Sequence, residues 1–220
     1  MRIIFLKIAK NMGTTVKSIL RENDGYYGEI NFIKEYKEEK LRRSKYLTLI
    51  NKTNISKFKK TFPDIWDNAL KLVVFREPID RLISCYNYIR NKKRTFKESY
   101  FEVIKEMENR KGINAINFDL NKKKYDIFHA HLYSSQLELI DCNHYNISDN
   151  DYKWINMDNG NDVLKAMEDL GINNVSQLIK NRNKKKKIEP SLEDVKKYEE
   201  VFKEDFIAYD LINNENSTHN

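Results

Sequence analysis

Residues 1–20, MRIIFLKIAKNMGTTVKSIL, decide the fold, because they read as a buried strand, a basic turn and the start of a helix. Ile3-Ile4-Phe5-Leu6 followed by Ile8 have the length and the β-branched or aromatic content of an interior strand. Lys10-Asn11-Met12-Gly13 break that run, and Thr14 or Thr15 is placed to cap a helix whose apolar positions Val16, Ile19 and Leu20 recur at three- and four-residue spacing. A helix N-terminus presents N–H groups without intrahelical partners and the positive end of the macrodipole. Gly13 lets a guest approach the backbone closely, and Lys10 adds a full charge, so phosphate or sulfate is the expected guest. A strand-turn-helix unit of any α/β protein shares much of this pattern, so the rest of the chain has to give it meaning.

The next clear unit repeats the design. Leu70-Lys71-Leu72-Val73-Val74-Phe75 is a buried strand, Arg76-Glu77-Pro78 a basic turn, and Ile79, Leu82, Ile83, Tyr86 and Ile89 the apolar face of a helix that Pro78 suits at its first turn. In a parallel sheet both turns fall at the same carboxyl edge, facing one crevice. Arg76 leaves the strand end and Ser84 follows after about two helical turns, so both can close on one phosphate.

Elsewhere, Tyr46–Ile50 reads as a strand and residues 54–70 as a helix pair broken at Pro63, while 26–45 are too polar to assign. Phe96 to Met107 mark an amphipathic helix, Leu132–Ile140 another, and Tyr152–Met157 a strand. Asn161 or Asp162 caps a helix stopped by Gly171, and Pro190-Ser191 open a last helix. The pattern predicts an α/β fold of three layers, a central, mostly parallel sheet flanked by helices. It forms a single domain over residues 1–212 with a disordered tail over 213–220.

The 220 residues carry 40 Lys and Arg against 33 Asp and Glu, a net charge of +7, which points to an anionic partner without choosing among nucleotide, acidic glycan, nucleic acid and membrane surface. Cys85 and Cys142 cannot build a disulfide framework and lack metal-type spacing, so a reducing compartment is expected. No apolar stretch nears the roughly 20 residues of a membrane span, and a strand from residue 3 leaves no room for a signal peptide. The expected protein is soluble and cytoplasmic.

The two turns resemble those of sulfotransferases that use 3′-phosphoadenosine 5′-phosphosulfate (PAPS), especially the carbohydrate sulfotransferases and their bacterial relatives. The family's first motif, roughly His-Ile-Pro-Lys-Thr-Gly-Gly-Thr-Ser, stands here as Lys7-Ile8-Ala9-Lys10-Asn11-Met12-Gly13-Thr14-Thr15. Its second, Val-Val-Arg-Asp/Asn-Pro-x-x-Arg-Leu-x-Ser-x-Tyr, is matched by Val73-Val74-Phe75-Arg76-Glu77-Pro78-Ile79-Asp80-Arg81-Leu82-Ile83-Ser84-Cys85-Tyr86. His131 with Gln136 echoes the family's His-x-x-Pro-Gln segment, with one extra residue and no proline. Residues 198–209, YEEVFKEDFIAY, echo its closing Tyr-x-x-Asp-Phe-x-x-Phe helix.

The resemblance implies a P-loop-like sulfotransferase fold and transfer of a sulfuryl group from PAPS to a hydroxyl acceptor, a glycan by family default. It implies that Lys10, Asn11, Met12, Gly13, Thr14 and Thr15 hold the 5′-phosphosulfate and that Arg76 and Ser84 hold the 3′-phosphate. Lys184 and Lys185, in the basic run Lys184 to Lys187 before the last helix, would close on the donor or steer an anionic acceptor. Sulfuryl transfer is an in-line displacement, so catalysis is mostly positioning plus neutralisation of the leaving phosphate, a task for Lys10 that requires no metal. An acceptor hydroxyl also wants a general base, and His131, His129 and Glu29 are the candidates. Lys7 and Met12, which replace a histidine and a glycine of the motif, are the departures that raise a catalytically inactive relative as an alternative. Basic nucleic-acid binding is a rival from another class, although no recognition motif supports it. A nucleotide kinase-like phosphotransferase is another, but the Gly-x-x-x-x-Gly-Lys-Ser/Thr pattern is missing.

Overall fold

The computed structural model of the protein describes residues 1–30, 38–50, 52–92, 99–109, 134–157, 160–173 and 188–217. Five strands form one sheet: β1 (Arg2–Lys7), β2 (Tyr26–Ile30), β3 (Tyr46–Ile50), β4 (Ala69–Phe75) and β5 (Tyr152–Asn156). Their order is β2-β3-β1-β4-β5, and every neighbouring pair is parallel. β1 is therefore central, and its near-continuous apolar sequence follows from being covered on both faces.

Alternation along the strands divides the core. Ile3 and Phe5 of β1 join Leu72 and Val74 of β4 beneath Val16, Ile19 and Leu20, whereas Ile4 and Leu6 join Val73 and Phe75 on the opposite face with Leu47, Leu49 and Phe58. Full burial of each such side chain contributes roughly 1.5–3 kcal/mol. The first face is covered by α1 (Gly13–Glu22) and, later in the chain, α8 (Gly160–Asp169); the second by α3 (Lys52–Thr61) and α4 (Pro63–Asp67), split at Pro63. The short α2 (Glu38–Arg43) lies between β2 and β3.

A third apolar cluster sits beyond the sheet, where α5 (Pro78–Lys92) meets α6 (Tyr100–Asn109) and α9 (Leu192–Val201). The four-residue α7 (Gln136–Leu139) and a 3-10 turn at His144–Ser148 lead into β5, and α10 (Lys203–Ser217) closes the described chain against both.

The structure differs from the sequence expectations at several points. Residues 26–45, too polar to assign, contain β2 and α2, because β2 is an edge strand with only Ile30 fully buried. Neither Thr14 nor Thr15 caps α1: the N-cap is Met12, in a left-handed conformation, and Gly13 already belongs to the helix. The helix before Gly171 starts at Gly160, ahead of both expected caps. Within Leu132–Ile140, helix is found over Gln136–Leu139. The tail expected to be disordered from 213 is helical through Ser217, since Ile212 is buried and the Asn156 side chain donates to Asn213.

The order of the strands positions the site. Leu6 pairs with Val73, so β1 and β4 release their chains side by side. From β1 the chain turns toward the β2 edge and from β4 toward the β5 edge, which makes the carboxyl end of this pair the switch point where open α/β sheets bind ligands.

Candidate functional site

The first turn is bent by two non-glycine residues with positive φ, Lys10 at 71° and Met12 at 51°. Each costs about 1–2 kcal/mol relative to ordinary backbone, and the second turn supplies braces that hold them. Arg76 Nη1 donates to the Lys10 carbonyl at 3.1 Å and Arg81 Nε to the Ala9 carbonyl at 3.3 Å. In return, Asn11 Nδ2 donates to the Val74 carbonyl at 2.9 Å.

At the mouth of this turn the start of α1 is open. Met12 offers no side-chain cap, and the first helical turn holds no acidic residue. The first-turn N–H groups and the positive helix end are thus available to an anion. Gly13 makes room here for Lys7: a Cβ would lie 2.9 Å from both Cγ and Cε of the Lys7 stem that crosses over it, and that stem would have to shift. Lys7 Nζ then reaches Glu29 Oε1 at 2.7 Å, and Lys17 Nζ meets Glu29 Oε2 at 2.9 Å. Burial alone would raise the Glu29 carboxyl, but these two lysines outweigh it and hold the group below its ordinary value.

Lys10 and Arg76 flank one stripe of α5. The Lys10 ammonium lies 4.5 Å from the centre of the Tyr88 ring, and Arg76 Nη2 lies 3.5 Å from Asp80 Oδ2. Asp80, Ser84 and Tyr88 follow one another at four-residue spacing, so Ser84 stands on the same helix face between the two cations. Burial pushes the Lys10 ammonium below its usual range; Cys85 opposes that shift, and the Arg76 charge adds to it. The N-terminus of α5 itself is closed. Glu77 Oε1 accepts from Ile79 N at 2.9 Å, Oε2 accepts from Asp80 N, and Asp80 adds a second carboxylate to that first turn.

Beneath both turns runs a buried polar network. Gln136 Oε1 accepts from Asn11 Nδ2 at 2.5 Å and from Arg76 N at 3.2 Å, while Gln136 Nε2 donates to the Arg76 carbonyl at 2.8 Å. Asp205 of α10 accepts from Gln136 N at 2.7 Å and from Leu137 N at 3.2 Å. Arg81, 1% exposed, donates to the Ser134 carbonyl at 3.0 Å. Burial pushes the Asp205 carboxyl up, against the pull of Arg81 and the two amides.

Of the residues expected at the site, Lys10, Met12, Gly13, Thr14 and Thr15 line the first turn, and Arg76 and Ser84 stand across from it. The Asn11 side chain is fully buried and directed to Val74 and Gln136, so it braces the turn from within. Glu29 adjoins the turn through Lys7. His129, His131, Lys184 and Lys185 lie outside the described residues. The sequence reading assigned no role to Arg81, Asp205, Tyr88 or Glu77. Arg81 had a signal, since an arginine one turn inside a helix that opens at Pro78 returns toward the strand ends.

Among the described residues there is no cluster of His, Cys, Asp and Glu able to hold a metal ion, and no helix long and apolar enough to cross a membrane. The family model described as "Sulfotransferase family" matches residues 1–171, a span that contains both turns and all five strands. No curated protein matches the chain.

Proposed function

The chain belongs to the sulfotransferase family, and from that premise we propose that it transfers a sulfuryl group from PAPS to a hydroxyl acceptor, with a glycan as the acceptor class. The observation that carries the donor assignment is the pairing of an uncapped α1 N-terminus with Lys10 and Arg76, two cations separated along α5 by Ser84. One anion fits the backbone site and a second fits the side-chain site, as a nucleotide with phosphates at both its 3′ and 5′ positions requires.

In this reading PAPS supplies the activated sulfuryl group. The first-turn amides of α1 and Lys10 hold the 5′-phosphosulfate and neutralise the negative charge that grows on the phosphate as it leaves. Arg76 and Ser84 hold the 3′-phosphate and fix the direction of attack. Lys184 and Lys185 add charge from the segment before α9. Glu29 is a poor base, because its carboxyl is held low by Lys7 and Lys17; His131 and His129 keep that role. The net charge of +7 suits an acidic acceptor. The two free cysteines suit a cytoplasmic enzyme.

Thermal unfolding with 3′-phosphoadenosine 5′-phosphate, ATP–Mg²⁺ and random-sequence RNA or DNA tests the assignment. The bisphosphate at a thousandfold excess over its Kd should stabilise the protein by about 4 kcal/mol, and Lys10→Met should abolish most of that shift. Stabilisation by ATP–Mg²⁺ but not by the bisphosphate would replace sulfuryl with phosphoryl transfer, and a salt-dependent response to nucleic acid alone would replace catalysis with binding.

A further inference from the structure

We propose that Gln136, anchored by Asp205, is the positioning residue that locks the two donor-binding turns in register. The inference rests on the donor assignment above for what the turns hold, but its structural basis is independent of any ligand. One carboxamide, 0% exposed, makes three hydrogen bonds that join the turns: from Asn11 Nδ2 at 2.5 Å, from Arg76 N at 3.2 Å, and to the Arg76 carbonyl at 2.8 Å. An amide is the side chain suited to this place, because it must accept and donate at once on the backbone of a single residue.

Orientation of that carboxamide comes from α10. Asp205, also 0% exposed, receives the Gln136 and Leu137 amides at 2.7 and 3.2 Å, which fixes the backbone from which the Gln136 side chain departs. Ser135 caps the same short helix by accepting from Glu138 N at 2.9 Å. Arg81 ties Ser134, just upstream, to Ala9 of the first turn, so the brace is anchored at both ends. Buried networks of this kind act as a unit, and removing one member exposes the others to an unsatisfied low-dielectric site. Arg76 and Lys10 must be held apart at a fixed separation to bind two phosphates of one nucleotide, and Gln136 touches the backbone of one and the sequence neighbour of the other. It has no contact with the reacting atoms in this scheme.

The test is Gln136→Met, which keeps length and volume and removes all three bonds. Donor-product affinity should fall about tenfold or more from the loss of these bonds, with acceptor KM unchanged. Hydrogen exchange in the ligand-free protein should speed selectively at residues 9–15 and 74–77. Ile65→Val, at a buried core position outside this polar network, serves as the control for general destabilisation. Affinity within twofold of the parent overturns the proposal, even if exchange is faster, since the residue would then be only structural. Exchange that rises uniformly, as in the control, also overturns it. If the parent protein binds no bisphosphate, the donor assignment fails and the exchange pattern alone decides whether Gln136 couples the turns. Should Gln136→Met fail to fold, Asn11→Ala, which removes one of the three bonds and leaves both Gln136 bonds to Arg76, is read by the same exchange and affinity criteria with a smaller expected change.

Discussion

Two helices begin at the same sheet edge under opposite electrostatic conditions. α1 opens after Met12 with no side-chain cap and no acidic residue in its first turn. α5 opens after Glu77, whose carboxylate takes the Ile79 and Asp80 amides, with Asp80 beside it. In the proposed donor assignment the first turn is therefore a backbone anion site, to which the macrodipole contributes, whereas the second has its helix N-terminus occupied by its own carboxylate and would attract an anion through Arg76 and the hydroxyl of Ser84. Similar strand-turn-helix sequences thus yield different recognition chemistry, and a single cap residue makes the difference. It also explains why the second turn needs an arginine: with its amides occupied, only a bidentate cation supplies two directed donors.

The largest expected effect comes from cutting the link between the turns. Arg81→Met leaves Asp205 buried beside an uncharged side chain and frees the Ala9 and Ser134 carbonyls, so chemical denaturation should show a loss of about 3–5 kcal/mol. A loss below about 1 kcal/mol would mean that the turns are held without Arg81.

Arg76→Ala sharpens the contrast from the ligand side. Removing the charged donors of the second turn should weaken bisphosphate binding by about a hundredfold, as expected for charge-assisted bonds worth roughly 3 kcal/mol together. Calorimetric titration reads this directly; an unchanged Kd would place both phosphates on the first turn alone.

Glu77→Ala is the variant most able to break the contrast. Loss of the cap should cost about 1 kcal/mol in thermal unfolding, while bisphosphate affinity changes by less than about threefold. A large gain in affinity would show that the α5 amides, once uncovered, belong to the anion site.

The smallest effect concerns pH. Glu29 has its folded-state carboxyl lowered by Lys7 and Lys17 despite burial, so its contribution to stability is complete above the unfolded value, about 4.3, and is lost as pH falls through the folded value. Lys7→Met should flatten part of this acid limb without moving stability at pH 8 by more than about 1 kcal/mol. An acid limb identical to the parent's would mean that Lys17 alone sets the Glu29 charge.

Much of this was legible in order of sequence. The apolar run at 3–6 and the run at 70–75, interrupted only by Lys71, read as covered strands, and Pro78 with the three- and four-residue spacing after it marks α5. The α1 cap was misread because hydroxyl residues at Thr14 and Thr15 are better caps than methionine; tertiary braces from Arg76, Arg81 and Asn11 hold Met12 in the left-handed conformation that local preference opposes. The helical end at Ser217 was missed for a related reason. Asn213 to Ser217 is polar and has no helical period of its own, yet the preceding turn is fixed by Ile212 in the core.

By itself the sequence determined four of the five strands, the two basic turns and the cations that leave them, because hydrophobic period, proline position and charge are local properties. Tertiary structure decided what those turns are. It chose the strand order that sets β1 beside β4, and it aligned Asp80, Ser84 and Tyr88 under Lys10 and Arg76. It also brought Gln136 and Asp205, 60 and more residues distant from Arg76, into the space beneath. No local pattern encodes those contacts, since a buried amide or carboxylate is stabilised only by partners that folding delivers from elsewhere in the chain.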